Sequence, residues 1–221
     1  MGLLGFTKMT FVSKKHEKDD VYSFYFHPHK KLHHKAGQHG LLILPHFRSG
    51  LSLKPFSLAS APEDIEVMIG THVHASSTYK QALDELKPGD IVRFYGPIRR
   101  FTLDKKVGQV VFLAQGIGIT PFRSLLRHAH NQQLNIRSTL IHVERENHIY
   151  RTETEQLSSV AHFPTDPEMF NACLLKTIQE QPEATYFLSG APSFIKSVRS
   201  ILLTQGITTQ HIKQDSFLGY K

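Results

Sequence analysis

Residues fit for chemistry gather in two short stretches. The first, Gly116-Ile117-Gly118-Ile119-Thr120-Pro121, follows the apolar run Val110-Val111-Phe112-Leu113-Ala114 and leads into Phe122-Arg123-Ser124-Leu125-Leu126-Arg127. That order predicts strand, glycine turn and helix. Two glycines let an anion approach the backbone, Thr120 is suited to cap the helix, and Pro121 at the first helical position loses no hydrogen bond. Exposed N–H groups and the helix dipole then favour phosphate. Pro121 stands where a third glycine would complete the Gly-x-Gly-x-x-Gly dinucleotide fingerprint, so the turn is of another kind. An ordinary strand-to-helix turn is the bland alternative.

The second stretch is Lys54-Pro55-Phe56-Ser57-Leu58-Ala59-Ser60. In extended chain Lys54 and Phe56 share a face, and Ser57 follows at once. A flavin asks for these functions: a cation for its phosphate, an aromatic surface for the isoalloxazine, and a small donor near N5. The alternative is a plain strand with Phe56 in the core and Lys54 in solvent.

Fifteen histidines also invite attention, in His27-Pro28-His29, His33-His34 and His72-Val73-His74. His72 and His74 can share one strand face. Two ligands do not make a site, and with no cysteine cluster and no acidic residue close by, no metal is expected.

The elements that must hold the two stretches differ in kind. The first hundred residues read as short β segments, Phe6 to Ser13, Val21 to Phe26, Gly40 to Leu44, Phe56 to Ala59, Ile65 to Gly70 and Ile91 to Tyr95. Turn signals such as Ala61-Pro62-Glu63-Asp64 and Lys87-Pro88-Gly89-Asp90 separate them, which argues an antiparallel barrel or sandwich. One helix, Thr78 to Leu86, interrupts the series. After Asp104 the pattern becomes strand, turn and helix: Val110 to Ala114, Pro121 to His130, Thr139 to Val143, Tyr186 to Leu188, a helix through Leu203, and a last strand Thr208 to Ile212. This alternation belongs to a parallel α/β sheet. Ser158 to Pro167 is readable as a short strand or a loop. The expected domains are 1–104 and 105–221.

Composition narrows the classes. A chain of 221 residues, 40% hydrophobic and 20% charged, has the make-up of a soluble globular protein. The single cysteine, Cys173, excludes an internal disulfide framework and any cysteine-rich iron–sulfur site on this chain alone, and suits a reducing compartment. A net charge of +7 favours anionic partners. The basic residues are scattered, without the basic helix or arm expected of a groove-binding protein, so no nucleic-acid role is expected. Lys, His or Arg interrupts every candidate membrane span, Phe6 spoils a myristoylation signal, and the expected location is cytoplasmic.

Together, in this order and on these two architectures, the stretches resemble the ferredoxin–NADP reductase superfamily, and within it the bacterial flavin reductase-like branch. The resemblance covers nearly the whole chain. It implies a fold of two parts: an N-terminal antiparallel Greek-key β-barrel that binds flavin, then a C-terminal parallel α/β domain that binds the nicotinamide nucleotide. The family's Arg-x-[Tyr/Phe]-Ser motif is matched by Lys54-Pro55-Phe56-Ser57, with a point charge in place of the bidentate guanidinium. Its next flavin contacts correspond to Met68-Ile69-Gly70-Thr71 and Ser76-Ser77-Thr78-Tyr79, although these hydroxyls also suit plain helix capping. Gly96-Pro97 and Phe101-Thr102-Leu103 resemble its domain junction, with Arg99-Arg100 replacing a glycine.

The family's Gly-x-Gly-x-[Ser/Thr]-Pro turn is matched completely by Gly116, Gly118, Thr120 and Pro121, with Ile119 between. Its Cys-Gly-x-Pro element, which sets a thiol beside the nicotinamide, reads Ser189-Gly190-Ala191-Pro192 here. At the chain end, Phe217 and Tyr220 are candidates for a cover over the flavin, Tyr220 as the stacking lid. Glu144, 26 residues past Gly118, falls where an acidic residue can take the ribose 2′-hydroxyl, which favours NADH. The Ser-Arg pair of NADP-specific relatives has no match in Ser158 to Asp166, yet Arg145 and Arg151 offer charge for a 2′-phosphate.

The resemblance implies an NAD(P)H-dependent flavoprotein reductase: hydride passes from nicotinamide to bound FAD, or FMN, with Ser57 near N5. Electrons then move on to ferredoxin, flavodoxin, free flavin or a ferric chelate. A flavin-binding electron-transfer subunit that needs a partner protein for turnover is the rival reading.

Overall fold

The computed structural model describes residues 6–45, 53–74, 76–98, 101–104 and 108–216. The chain forms two compact units, Met1–Thr102 and Leu103–Lys221.

In the first unit β1 (Phe6–Lys18), β2 (Val21–Pro28), β3 (His39–Ile43), β4 (Leu53–Ser57), β5 (Val67–His72) and β6 (Ile91–Ile98) pair antiparallel in the order β4-β3-β6-β1-β2-β5. The end strands meet. The Ala59 amide donates to the Met68 carbonyl at 2.8 Å and the Met68 amide to Ser60 Oγ at 3.0 Å, so the sheet curls into a barrel and neither edge is left open there. Side chains that alternate inward, among them Met9 and Phe11 on β1, Phe24 and Phe26 on β2, and Val92 and Phe94 on β6, fill the interior. Each stabilises the unit by about 1.5–3 kcal/mol relative to exposure. The helix α1 (Thr78–Asp84) contributes Tyr79 and Leu83 to the same core.

Several ends differ from expectation. β1 runs on through Lys14, Lys15 and His16 because its pairing with β2 continues as far as Lys18 with Val21. Ile65 lies in a turn, 80% exposed, and β5 begins two residues later. β4 lies earlier than the Phe56-to-Ala59 segment, because Leu53 to Ser57 is the stretch that ladders onto β3.

In the second unit β7 (Gln109–Gln115), β8 (Arg137–Val143), β9 (Val160–His162), β10 (Thr185–Gly190) and β11 (Ile212–Ser216) form a parallel sheet in the order β11-β10-β7-β8-β9. β7 is central, and Val110 to Ala114 are all fully buried. This explains why the segment is apolar without alternation: helices cover both faces. On one face Phe112 meets Phe122 of α2 (Ile119–Asn131), ring centroids 4.9 Å apart. On the other, Val111 and Leu113 share a cluster with Phe170 and Leu174 of α4 (Pro167–Glu180) and Ile195 and Val198 of α5 (Pro192–Thr204). The short α3 (Arg151–Leu157) is tied to α2 by Glu153, which takes Arg123 Nε at 2.7 Å and Arg127 Nη1 at 2.6 Å.

The last strand is corrected. Thr209–His211 is a 3-10 turn, and the strand is Ile212–Ser216, since that is the segment in register with Tyr186 to Gly190. The ambiguous stretch 158–167 holds the short edge strand β9. Helices α3 and α4 lay outside the expected elements. α4 nonetheless carries a full start signal: Asp166 Oδ1 accepts from the Met169 amide at 2.8 Å and Pro167 opens the first turn.

Candidate functional site

Chain order along the second sheet reverses between β7 and β10: β8 and β9 build outward on one side, β10 and β11 on the other. Ligands of open parallel sheets bind at such a reversal, beyond the carboxyl ends of the strands. The glycine turn and Ser189-Gly190 lie there together. Gly116 holds φ at +51°, a left-handed value that glycine adopts without strain. A methyl added at Gly118 would drive into the Ser189 carbonyl and come within 2.9 Å of the Gly190 nitrogen; one at Gly190 would meet Gln115 Cβ at 2.9 Å. The two segments therefore pack backbone to backbone across the reversal, and glycine is what permits it.

Thr120 does not cap α2. The residues from Gly116 to Gly118 form a 3-10 turn, α2 starts at Ile119, and Gly118 occupies the cap position with no side-chain bond. Thr120 falls inside the first turn, where its hydroxyl donates to the Ile117 carbonyl at 3.0 Å, and Pro121 is the third helical residue, where the expectation had it first. Helix α5 likewise begins at Pro192 without a side-chain cap on Ala191. Two helix starts without side-chain caps thus flank the reversal, where an anion is favoured.

Ser189 is fully buried, and its hydroxyl has no hydrogen-bond partner among the described residues. An unpaired buried hydroxyl is costly. Its position at the carboxyl end of β10 suits a ligand able to satisfy it.

Glu144 and Arg145 follow β8. One Glu144 oxygen accepts from the Ile149 amide at 3.2 Å and lies 3.6 Å from His142 Nε2. The carboxylate is thus turned toward its own loop, while Arg145 is exposed. His142 was not singled out in the sequence. It is fully buried at the end of β8, and its Nε2–H donates to the Gly116 carbonyl at 2.9 Å, fixing the glycine turn from beneath.

In the barrel unit, Lys54 and Pro55 are exposed on β4, and Phe56 and Ser57 are buried. Phe56 stacks on Tyr79, centroids 6.1 Å apart at 28°. Tyr79 itself faces inward: its hydroxyl donates to the Leu42 carbonyl at 2.7 Å, and burial pushes its pKa upward. It backs Phe56 rather than presenting a surface to a ligand. Met68, Ile69 and Thr71 are buried along β5, and Gly70 pairs with Ser23. Ser77 caps α1 by accepting from the Lys80 amide at 3.4 Å, so the capping role expected as an alternative is realised, while Ser76 and Thr78 are exposed.

The barrel residue that sequence reading missed is Lys80. Its ammonium lies 4.5 Å above the Phe56 ring centroid and donates to Thr71 Oγ1. Burial, with repulsion from Lys54 added, pulls its pKa down to about 7. Phe56 in the core with Lys54 in solvent is the plain-strand arrangement expected as the alternative, so the ring presents no open surface for an isoalloxazine. Lys54, Lys80 and the Thr71 hydroxyl remain a cationic donor set beside it, the chemistry a phosphate requires. Phe217 and Tyr220 lie outside the described residues.

The histidine pair acquires an acidic neighbour that its sequence surroundings do not show. Asp20, from the turn joining β1 to β2, takes His72 Nδ1 on one oxygen and His74 Nδ1 on the other, both at 2.7 Å. The three ligand atoms lie within 4.8 Å of one another.

No family model matches the chain. It is 35% identical to ferredoxin–NADP reductase B of Sorangium cellulosum over 56% of its own length and 52% of that protein's. It is 24% identical to the flavohemoprotein of Bacillus subtilis over 92% of the chain and 57% of that protein. The chain thus spans about half the length of these curated relatives. Among solved structures, a ferredoxin NADP+ reductase from Neisseria gonorrhoeae with bound FAD and NADP superposes with a TM-score of 0.79 at 17% identity, covering 96% of this chain and 99% of that one. These relatives and neighbours are ferredoxin–NADP reductase-like reductases, and this chain has their fold. Among the described residues no helix is long and apolar enough to cross a membrane.

Proposed function

We propose that this chain, folded as ferredoxin–NADP reductase-like reductases are, draws hydride from NADH or NADPH and delivers electrons through bound FAD to a separate acceptor. The observation that carries the reading is the strand-order reversal, where two helix starts without side-chain caps, a glycine-built cradle and the Ser189 hydroxyl, which has no partner among the described residues, converge. That is a site for a dinucleotide whose phosphates meet the helix starts and whose nicotinamide reaches Ser189. Bound flavin supplies the ring that accepts a hydride and releases electrons singly.

The chain's own residues bind and orient. In this reading 1–104 holds the flavin and 105–221 the nucleotide. Lys54 meets the flavin phosphate and Ser57 holds its hydroxyl toward N5, with Thr71 and the stretch from Ser76 to Thr78 beside them and the buried Phe56 as their apolar backing. Gly116 to Pro121, Gly190 and Pro192 cradle the nucleotide. No side-chain acid or base is required, since orientation of two rings is the protein's task. NADH is the preferred donor, with Glu144 toward the ribose; this requires Glu144 to offer the ribose the oxygen that Ile149 does not engage. The +7 charge favours an acidic electron carrier as acceptor.

The purified protein should be yellow, and one equivalent of NADH added without oxygen should bleach it. A colourless protein that takes up no FAD overturns the proposal. The departures at Lys54 and Ser189 support a second reading, a flavin-binding subunit that turns over only with a partner protein; a yellow protein bleached by neither nucleotide favours it.

A further inference from the structure

We infer that Lys80 and Lys54 together form a two-lysine clamp for the flavin's phosphate groups, dividing between two elements the work of a single guanidinium fork. The inference rests on the flavin-site reading above. It starts from an imbalance in the barrel unit. Lys80 is half-buried, its ammonium rests on the Phe56 ring, and its hydrogen-bond partner is the neutral hydroxyl of Thr71. Among the described residues no carboxylate pairs with it or with Lys54. Asp84, one turn further along α1, is turned to Lys14 of β1 at 2.5 Å, and Asp20, beyond Thr71, is held by His72 and His74.

A desolvated ammonium facing a second cation is normally driven to an anion or to neutrality. Among the described residues, those that act on Lys80 are Lys54 and Phe56 from β4 and Thr71 from β5, none of them an anion, and its helix neighbour Tyr79 is committed to the Leu42 carbonyl. With no anion among the described residues around it, Lys80 is left to neutrality or to an anion that a ligand brings. A diphosphate engaged by the exposed Lys54 supplies that anion, while Phe56, only 5% exposed between Tyr79 and the Lys80 ammonium, is the apolar bed on which the lysine rests. Arginine at position 54 would offer two fixed donors; lysine offers one charge point, and Lys80 adds the second.

A consequence in solution follows. Lys80 without ligand has its pKa pulled down to about 7 by burial and by Lys54. An anion beside it raises that value, so binding above neutrality takes up a proton. Affinity is greatest below about pH 7 and falls by up to about tenfold per pH unit above it, until the higher pKa of the complex is reached. Below the free value the lysine is already charged and the dependence disappears.

The test is FAD binding by calorimetry from about pH 6 to pH 9, for the wild type, Lys80→Met and Lys80→Arg, with riboflavin, which carries no phosphate, as the control. Methionine replaces the apolar stem as far as the ammonium and removes a buried charge, so the fold is expected to survive. The wild type should lose FAD affinity as pH rises. Lys80→Met should bind at least about tenfold more weakly at pH 6 with no such slope, and Lys80→Arg, charged throughout, should bind tightly with no slope. Riboflavin should show no slope with any of the three. Wild-type affinity and slope in Lys80→Met overturn the clamp while leaving the flavin site standing; so does a wild-type slope in Lys80→Arg, should the methionine variant fail to fold. Absence of FAD binding in all three removes the flavin site itself and the clamp with it.

Discussion

Replacing Gly118 by alanine tests the packing across the strand-order reversal most sharply. The added methyl would stand 2.7 Å from the Ser189 carbonyl carbon and 2.9 Å from the Gly190 nitrogen, closer still to the Ser189 oxygen. Unstrained carbon contacts lie at about 3.5–4.0 Å, so the turn and β10 must part by about 1 Å. Neither yields easily, because Ser189 is fixed in register with Ala114 on one side and Asp215 on the other. Overpacking costs about 1–3 kcal/mol when side chains can shift. Here only main chain can move, which puts the cost at the upper end. At about 4 °C per kcal/mol for a unit of this size, Gly118→Ala should lower the melting temperature of the second unit by roughly 12 °C. Gly116 is the internal control. It lies in the same motif, but nothing stands within 4 Å of its added methyl, so alanine there meets only the left-handed backbone penalty of about 1–2 kcal/mol. Asparagine at 116 should cost less than alanine, since it tolerates that conformation. Scanning calorimetry of the three variants, paired with NADH titration, reads both stability and the cradle. Melting of Gly118→Ala within about 2 °C of wild type, or greater damage from Gly116→Ala, refutes the reasoning.

Three further outcomes are expected. Tyr79→Phe leaves the buried Leu42 carbonyl without the hydroxyl it now receives, and urea denaturation should show a loss of about 1–3 kcal/mol with an unchanged m-value. Ser189→Ala removes a buried hydroxyl with no partner among the described residues, so its melting temperature should equal or exceed that of wild type, while anaerobic stopped-flow reduction by NADH should slow; a destabilised variant would show that the hydroxyl is already bonded within the fold. For Asp20, burial acts to raise the carboxyl pKa, but the His72 hydrogen bond and the charges of His72 and His74 more than reverse it, leaving the value below 3.8. A depressed carboxylate contributes stability that is full above its unfolded value and is lost as pH falls through the folded one, so acid titration should show a loss beginning near pH 4 that Asp20→Asn lacks.

Local composition made much of the architecture legible. β7 announced itself as a buried central strand because helices on both faces require an unbroken apolar run, and the turn residues after it fixed where α2 starts to within two positions. The capping detail was not legible. Threonine and proline can each occupy several places in a first turn, and the choice depends on a 3-10 turn that the packing of Gly118 against Ser189 imposes. The final strand shifted for a similar reason. Thr208 to Ile212 has suitable β residues, but register with β10 decides which segment pairs, and register is a property of two strands. Helix α4 could have been read from Asp166-Pro167 and the spacing of Phe170, Leu174 and Ile178; the polar stretch before it concealed the start.

The residues that sequence reading passed over share a physical cause. Lys80 stands on a short helix among Tyr79, Gln81 and Asp84, where a lysine ordinarily points to solvent and an acidic residue four positions on suggests its partner. The fold gives Asp84 to Lys14, which is seventy residues distant, and turns Lys80 over Phe56 instead. His142 sits within an apolar strand, where one ring nitrogen must find an acceptor, and that acceptor is the carbonyl of Gly116 on the neighbouring turn. Each side chain is assigned its role by a partner remote in sequence, so spacing alone could not name it. The same logic weighs the two motifs. The glycine turn carries its reason in its own residues, because absent side chains need no partner to be understood. The lysine of Lys54-Pro55-Phe56-Ser57 is intelligible only with Lys80, which a motif read along the chain does not contain.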